Sequence, residues 1–156
     1  MTEQQICTFF LKGVYFGIDV QHVQEVIRPQ AMTRVPLAPP DICGLINLRG
    51  QIITVIDLQR RLEISEPQTQ STTKLVDQPQ GFNIIVCSDN EVVSLFVDCV
   101  GDVLEFAQNT FQPPPATLKG RMRQMLAGAY PLPEGFLLVL DAEKILDVNL
   151  KNQIIE

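Results

Sequence analysis

The chain has 156 residues, a hydrophobic fraction of 46% and a formal net charge of −6, which suits one compact unit or two small subdomains that share a core. The negative charge disfavours nucleic acid as a ligand, because it repels the phosphate backbone. The basic clusters, Arg60-Arg61 and Lys119 to Arg123, are too short to offset it. No apolar run reaches the ~20 residues that a membrane-spanning helix needs.

The N-terminal part of the chain predicts a β-hairpin, a short helix and a loop. Residues 6–11 and 14–20 are rich in β-branched and aromatic side chains and flank a Lys12-Gly13 turn. In Val23–Ile27 the apolar residues recur at helical spacing, which predicts one or two helical turns. Four prolines between positions 28 and 40 predict a loop, with a brief strand near 33–35.

Two further pairs of strands are predicted. Residues 42–48 and 51–57 are apolar runs joined by Arg49-Gly50, and residues 58–62 predict a helical turn with Asp57 as its N-cap. The polar stretch 63–80 has little to bury and predicts a flexible connection. Strand patterns resume in residues 82–87 and 92–97, around an Asp89-Asn90 turn.

The second half of the chain repeats patterns of the first. Residues 100–104 resemble Val23–Ile27, 77 positions later (from 23 to 100), and residues 136–146 resemble 52–62, 84 positions later (from 57 to 141). Chance similarity of apolar strands explains either block alone. Two blocks in the same order favour a duplication, and therefore two similar small β-barrels, each with a short helix.

No residue set points to catalysis, a metal or a cofactor. His22 is the sole histidine, so no serine or cysteine has a histidine base and a further partner for nucleophilic chemistry, and no phosphate-binding glycine motif is present.

The four cysteines stand singly in apolar segments, which predicts buried thiols in a reducing compartment. The N-terminus lacks a signal-peptide pattern, so the expected location is the cytoplasm. The cysteines are Cys7, Cys43, Cys87 and Cys99.

Arg49 is the strongest candidate for a functional side chain. It stands in a turn between two apolar strands, and its counterpart in the second half is Pro133, so the architecture does not require an arginine there. We interpret it as a guanidinium directed at a partner, with a solvated turn charge as the alternative. For Glu25, the counterpart Asp102 keeps the charge, so an acid that simply faces solvent remains a competing interpretation.

The sequence resembles CheW-like domains over residues 8–146. The block Asn47-Leu48-Arg49-Gly50 in its apolar frame is the most specific part of the likeness. The other blocks that fit are residues 10–20, 23–27, 36–40, 42–58, 97–104, 126–128 and 137–146.

The resemblance implies an all-β fold, mainly β with short helices, in which two SH3-like five-stranded β-barrels pack together. It implies a non-catalytic adaptor that binds the cytoplasmic tip of chemoreceptors and the regulatory domain of a CheA-type histidine kinase, with self-association in arrays left open. Membrane contact would be indirect, through the receptors. One domain over residues 1–156 is expected, with subdomain 1 at about 13–80, strand 6–11 a candidate for sharing, and subdomain 2 at about 82–148.

The resemblance also implies a set of protein-binding residues. Val23, Glu25 and Arg49 match positions that support receptor coupling, and a Glu25–Arg49 ion pair is expected. Asn47 belongs to the same specific block, and apolar side chains near the turns and grooves are expected to add contact area. Those apolar residues are Leu45, Ile46, Leu48, Val97 and Val100.

Two alternatives remain open at this point. The same adaptor could serve pilus-driven motility or another chemosensory output, which the sequence does not distinguish. A protein of a different class, a barrel that binds a small ligand or an enzyme subunit, would show a deep closed pocket lined by convergent polar groups. A shallow apolar groove would disfavour that second alternative.

Overall fold

Ten β-strands dominate the residues that the structure, a computed structural model, describes: 2–64 and 81–147. The strands are β1 (Glu3–Leu11), β2 (Val14–Asp19), β3 (Val23–Ile27), β4 (Ile42–Leu48), β5 (Gln51–Asp57), β6 (Phe82–Ser88), β7 (Glu91–Val97), β8 (Cys99–Ala107), β9 (Leu126–Leu132) and β10 (Gly135–Leu140). Short α-helices are α1 (Leu58–Arg61), α2 (Gly120–Gln124) and α3 (Ala142–Leu146), and 3₁₀ turns occupy Val20–His22 and Gln108–Thr110. Of the connection predicted at 63–80, residues 65–80 lie outside the described residues.

The strands form two five-stranded sheets with the same internal plan. Sheet 1 has the order β8-β1-β2-β10-β9, and sheet 2 has the order β3-β6-β7-β5-β4. In each sheet the third and fourth strands pair in parallel, β2 with β10 and β7 with β5, whereas the other neighbours are antiparallel. Strands β3 and β8 are therefore equivalent edges, and β5 is equivalent to β10, as the sequence repeat predicts.

Each half of the chain completes the sheet of the other half. The N-terminal hairpin β1–β2 lies in sheet 1 beside β8, β9 and β10, and the hairpin β6–β7 lies in sheet 2 beside β3, β4 and β5. The expected division into subdomains at about 13–80 and 82–148 therefore needs correction, because the hairpins are exchanged between the two repeats. The strand at 6–11 is not shared; it belongs to sheet 1.

Three of the predicted turns have the backbone that tight hairpins require. Both residues of Lys12-Gly13, Arg49-Gly50 and Asp89-Asn90 have positive φ, between 49° and 88°. Two successive residues in this region match the twist of antiparallel strands, and glycine and asparagine adopt it at low cost. The sequence therefore placed these hairpins correctly.

The prediction of a helix at Val23–Ile27 is wrong, because the segment is strand β3. It pairs with β6 through registers such as Val26↔Ile84. Its exposure alternates with a period of two residues, so Val26 is exposed while Val23 and Ile27 are half-buried. Five residues are too few to tell a helical from a strand period, and pairing with a neighbouring strand decided the outcome. The brief strand predicted near 33–35 is a single bridge from Thr33 to Leu45.

A pair of equivalent glycines shows how closely the two repeats correspond. A β-carbon on Gly44 would lie 2.6 Å from the carbonyl oxygen of Thr33, and one on Gly128 would lie 2.5 Å from that of Gln112. Each glycine therefore lets an incoming loop approach strand β4 or β9. Both loops make an antiparallel bridge to the strand at the residue that follows the glycine.

The main hydrophobic cluster lies between the two sheets and their helices. It joins Phe16 of sheet 1 to Leu95 of sheet 2, both fully buried, and includes Leu58 in α1 and Ile145 in α3. Smaller clusters lie within each sheet, around Tyr130 and around residues of β4 and β5. Because the largest cluster draws on both sheets, the two barrels share one core.

Asp57 and Asp141 are helix N-caps, as predicted. The Asp57 carboxylate accepts a hydrogen bond from the Arg60 backbone N–H at 3.3 Å, and the Asp141 carboxylate accepts one from that of Glu143 at 3.0 Å. Such caps satisfy backbone donors that have no partner inside the helix, and each typically contributes about 0.5–2 kcal/mol.

Arg61 is completely buried and joins the two halves. Its Nε lies 2.6 Å from Oδ2 of Asp41, and its Nη1 donates a hydrogen bond to the carbonyl oxygen of Ile145 at 2.8 Å. Burial lowers the pKa of the Arg61 guanidinium, whereas the Asp41 carboxylate raises it. The residue 84 positions after Arg61 is Ile145, so the repeat has an apolar residue at the equivalent position.

The cysteines differ in exposure, which corrects the expectation of four buried thiols. Cys7 is buried, Cys43 and Cys87 are half-buried, and Cys99 is exposed at the start of the edge strand β8. Burial, followed by the nearby Asp57 charge, raises the pKa of Cys43 to about 11. We expect a thiol reagent at pH 8 to label Cys99 first and Cys43 slowly, since the thiolate is the reactive form. Mass spectrometry of labelled peptides measures this order, and equal labelling of both residues would contradict it.

Candidate functional site

The β4–β5 turn holds Arg49 at the surface in a defined backbone conformation. Arg49 has a φ of 52°, and its side chain is 68% exposed. The Asn47 side-chain oxygen accepts a hydrogen bond from the Gly50 backbone N–H at 2.9 Å, which ties the strand end to the turn. Asn47 therefore supports the turn that presents the guanidinium.

Glu25 and Arg49 form the ion pair that the resemblance implied. Nη2 of Arg49 contacts Oε2 of Glu25, whose side chain is 31% exposed. Glu25 lies on β3 and Arg49 follows β4, which are the opposite edges of sheet 2. The contact shows that the two edges curve towards each other. An exposed pair of this kind typically contributes only about 0–1 kcal/mol, so its main effect is on geometry.

Within residues 81–147, the second half of the molecule has no equivalent of this pair. The turn between β9 and β10 is Pro133-Glu134, and the counterpart of Glu25 is the exposed Asp102. The proline side chain is uncharged, so Pro133 cannot form an ion pair with Asp102. The ion pair therefore makes one end of the molecule chemically different from its repeat.

The structure places the nine predicted site residues in three environments. Asn47 and Arg49 are exposed, and five more are half-buried: Val23, Glu25, Leu45, Leu48 and Val100. Ile46 and Val97 are buried at 2% and 0% exposure, so they are core residues and the expectation of surface contact is wrong for both. Ile46 points to the cluster within sheet 2, and Val97 ends the central strand β7 and packs in the main cluster.

Sequence reasoning missed two exposed apolar side chains on strands that carry or adjoin the ion pair. Ile52 is 61% exposed and lies directly across from Asn47 in the β4–β5 hairpin. Val26 is 39% exposed and follows Glu25 on β3. Ile52 faces the opposite side of β5 from the buried Ile53, and the apolar run itself gives no signal of which face is inside. Successive side chains of a strand face opposite sides, so Val26 lies on the other face of β3 from Glu25. We call Glu25, Asn47, Arg49 and Ile52 the turn surface.

A groove lies elsewhere on sheet 2. It has a volume of about 870 Å³, and Leu45 is one of its lining residues. It is open to solvent, and much of its lining is apolar. This shape differs from the deep closed polar pocket that a small-ligand barrel would show. Within residues 2–64 and 81–147, no group of three or more His, Cys, Asp or Glu side chains is arranged to hold a metal ion.

The three helices of the described residues are short, and none of them has the length and apolar character to cross a membrane.

Comparison with known proteins agrees with this geometry. Residues 5–149 match the CheW-like domain. The chain is 30% identical to the chemotaxis protein CheW of Bacillus subtilis, over 94% of this chain and 88% of that protein. It is 28% identical to protein FrzA of Myxococcus xanthus, over 65% and 64% of the two chains. The crystal structure of the scaffolding protein TtCheW from Thermoanaerobacter tengcongensis is similar with a TM-score of 0.79 and 28% identity, covering 96% of this chain and 91% of that one.

The predicted fold class is confirmed by these findings. The described chain is mainly β with short helices, and its two five-stranded sheets correspond to SH3-like subdomains. The match to the domain covers nearly the whole chain. The chain therefore belongs to the CheW-like family.

Proposed function

We propose that the protein is a non-catalytic adaptor that couples chemoreceptors to a CheA-type histidine kinase in chemotaxis. Membership of the CheW-like family supports this role. The observation that carries it is the turn surface, where the hairpin that exposes Ile52 also presents an exposed guanidinium, held by Glu25 and by the Asn47-supported turn. Arginine next to apolar surface is a combination that protein-binding sites favour.

The proposed mechanism is one of fixed geometry. The adaptor holds a receptor tip and a kinase domain in a defined relation, so that a change in the receptor changes the equilibrium of the kinase between its active and inactive states. Such coupling needs rigid presentation of contacts, and it needs no bond to be made or broken in the adaptor. The tight turn at Arg49-Gly50 and the shared core meet that need.

The partners and location follow as further parts of the proposal. The receptor tip and the regulatory domain of the kinase are the proposed ligands, in the cytoplasm and next to the membrane only through the receptor. The net charge of −6 disfavours direct binding to anionic lipid or nucleic acid. Self-association within arrays is a further proposal, and size-exclusion chromatography with the kinase present measures it.

Replacing Arg49 with alanine tests the role of the turn surface. We expect the thermal unfolding midpoint to stay within about 2 °C, since the exposed ion pair contributes little, while the Kd for receptor or kinase fragments rises about tenfold. Arg34→Ala, which removes an exposed arginine outside the turn surface, is the matched control. Equal capture of both partners by the Arg49 and Arg34 variants would refute the contact role of Arg49.

Glu25→Gln separates contact from positioning. The substitution removes the charge partner of Arg49 and keeps the arginine itself. If Glu25 positions the guanidinium, binding weakens almost as much as with Arg49→Ala. If Arg49 binds without that help, Glu25→Gln binds nearly as the unmodified chain does.

A second output for the same adaptor is a pilus-driven or other chemosensory pathway. The similarity to FrzA as well as to chemotaxis CheW proteins supports keeping this candidate. Identifying the kinase that co-purifies with the protein from its own cells distinguishes the two outputs.

A further inference from the structure

The groove on sheet 2 has an unusual combination of lining residues. It lies between the loop at residues 35–39, strand β7 and helix α3, and its volume of about 870 Å³ is within the range of ~300–1,000 Å³ typical of binding clefts. Among the described residues that line it, four are carboxylates, several are apolar, and none is a lysine or arginine. The carboxylates are Asp89, Glu91, Glu143 and Asp147.

The repeat shows what occupies the equivalent place in the other half. Each half has a loop that bridges its sheet at one residue, Thr33 or Gln112. Further along the loop comes a residue whose backbone carbonyl oxygen accepts a hydrogen bond. The donor is the backbone N–H of the N-cap aspartate of the helix that follows, Asp57 or Asp141. The accepting residue is Asp41 in the first half and Met125 in the second, with N···O distances of 2.8 and 2.9 Å. The two loops are therefore structurally equivalent.

The equivalent loops differ in length, and only the longer one contains a helix. Between these anchor points the first loop has seven residues, 34–40, and the second has twelve, 113–124. The longer loop includes α2, and its Leu118 and Met122 pack against the main hydrophobic cluster. The shorter loop has no helix.

Glu63, which pairs with α2, and its neighbour Leu62 have counterparts in the groove. Arg121 of α2 lies with Nη2 3.5 Å from Oε2 of Glu63. The residue 84 positions after Glu63 is Asp147, and the residue 84 positions after the buried Leu62 is Leu146. Asp147 and Leu146 both line the groove. Asp147 and Leu146 therefore stand at the groove positions equivalent to Glu63, the ion-pair partner of Arg121, and to its neighbour Leu62.

We infer that this groove is a docking site for a short, basic, amphipathic helical segment of a partner protein, one that carries two apolar side chains and an arginine or lysine as α2 does. The four carboxylates provide the charge complement for such a segment. The site is separate from the turn surface, because neither Arg49 nor Glu25 lines the groove, and it does not depend on the role proposed for Arg49.

A peptide copied from the chain itself is the probe. Residues 115–125 contain the second loop from its proline run to Met125, with three basic residues and the apolar Leu118 and Met122. We expect a fluorescently labelled peptide of this sequence to bind the full chain saturably in an anisotropy titration. Replacing both Leu118 and Met122 by serine in the peptide should weaken binding about tenfold, since the apolar contact is lost.

Charge reversal in the groove tests the location. Glu91→Lys combined with Glu143→Lys should lower the affinity for the peptide about tenfold or more. Glu134→Lys, at an exposed turn outside the groove, is the matched control and should change the affinity less than about twofold. Circular dichroism and thermal unfolding of each variant confirm that it is folded.

Three results would overturn the inference. The first is no saturable binding, and the second is equal weakening by the groove variant and by Glu134→Lys, which would indicate only attraction to the net negative chain. The third is binding that appears only after Ile154 and Ile155 are replaced by aspartate, because this would assign the groove to the chain's own residues 148–156.

Discussion

Replacing Arg61 with alanine is expected to lower the free energy of unfolding by about 3–5 kcal/mol. The guanidinium has no exposed surface, and its loss leaves the nearly buried Asp41 carboxylate without the cation 2.6 Å away. It also removes the hydrogen bond to the carbonyl oxygen of Ile145, a direct polar link between α1 and α3. A urea titration at pH 7 measures the loss.

The repeat itself supplies the control for this prediction. The residues 84 positions after Asp41 and Arg61 are Met125 and Ile145, so the second half has an apolar pair at the places of the first half's ion pair. The double variant Asp41→Met with Arg61→Ile should recover more than half of the stability lost in Arg61→Ala, because it removes both buried charges together. A full recovery is not expected, since the Ile145 carbonyl still loses its donor.

The cycle of single and double variants also identifies the cause of the loss. If Arg61→Ala costs less than about 1 kcal/mol, the buried pair is not a strong contact. If the double variant is as unstable as the single one, the loss comes from packing or from the Ile145 hydrogen bond, and the removal of the cation beside the Asp41 carboxylate contributes little.

Local chemistry explains what the sequence could predict. The Arg49-Gly50 and Asp89-Asn90 turns were found because positive φ at two successive residues restricts residue type. The aspartate N-caps at 57 and 141 were found because an acid directly before a helical pattern has one common use. These features depend on a few neighbouring residues, which a sequence displays directly.

Non-local pairing explains what the sequence could not predict. Val23–Ile27 is a strand because β6 lies beside it, and β6 is more than fifty residues away in the chain. Ile46 and Val97 are buried because their strands have particular registers, and the pattern of an apolar run does not state which face is inside. The burial of Arg61 could be detected only by alignment with Ile145 in the repeat.

The exchange of hairpins between the halves leads to the second large expected effect. Fragments 1–72 and 73–156, each produced alone, should show no cooperative thermal transition. Without β6–β7, sheet 2 is reduced to the edge strand β3 and the separate hairpin β4–β5, and without β1–β2, sheet 1 is left with β8 apart from β9–β10. Two-stranded hairpins are marginal in water, so neither fragment retains a sheet that can bury the shared core.

Mixing the fragments should restore folding, because the contacts that each lacks are present in the other. Far-ultraviolet circular dichroism of the equimolar mixture is expected to show one transition, with a midpoint that rises with concentration as for any two-chain assembly. The control is the intact chain cut after folding between residues 72 and 73, which should remain folded. Independent halves, as the expected division at about residue 80 would require, would each unfold cooperatively alone. A cooperative transition in either fragment would therefore mean that the hairpins need no exchange, and that each repeat can complete its own sheet.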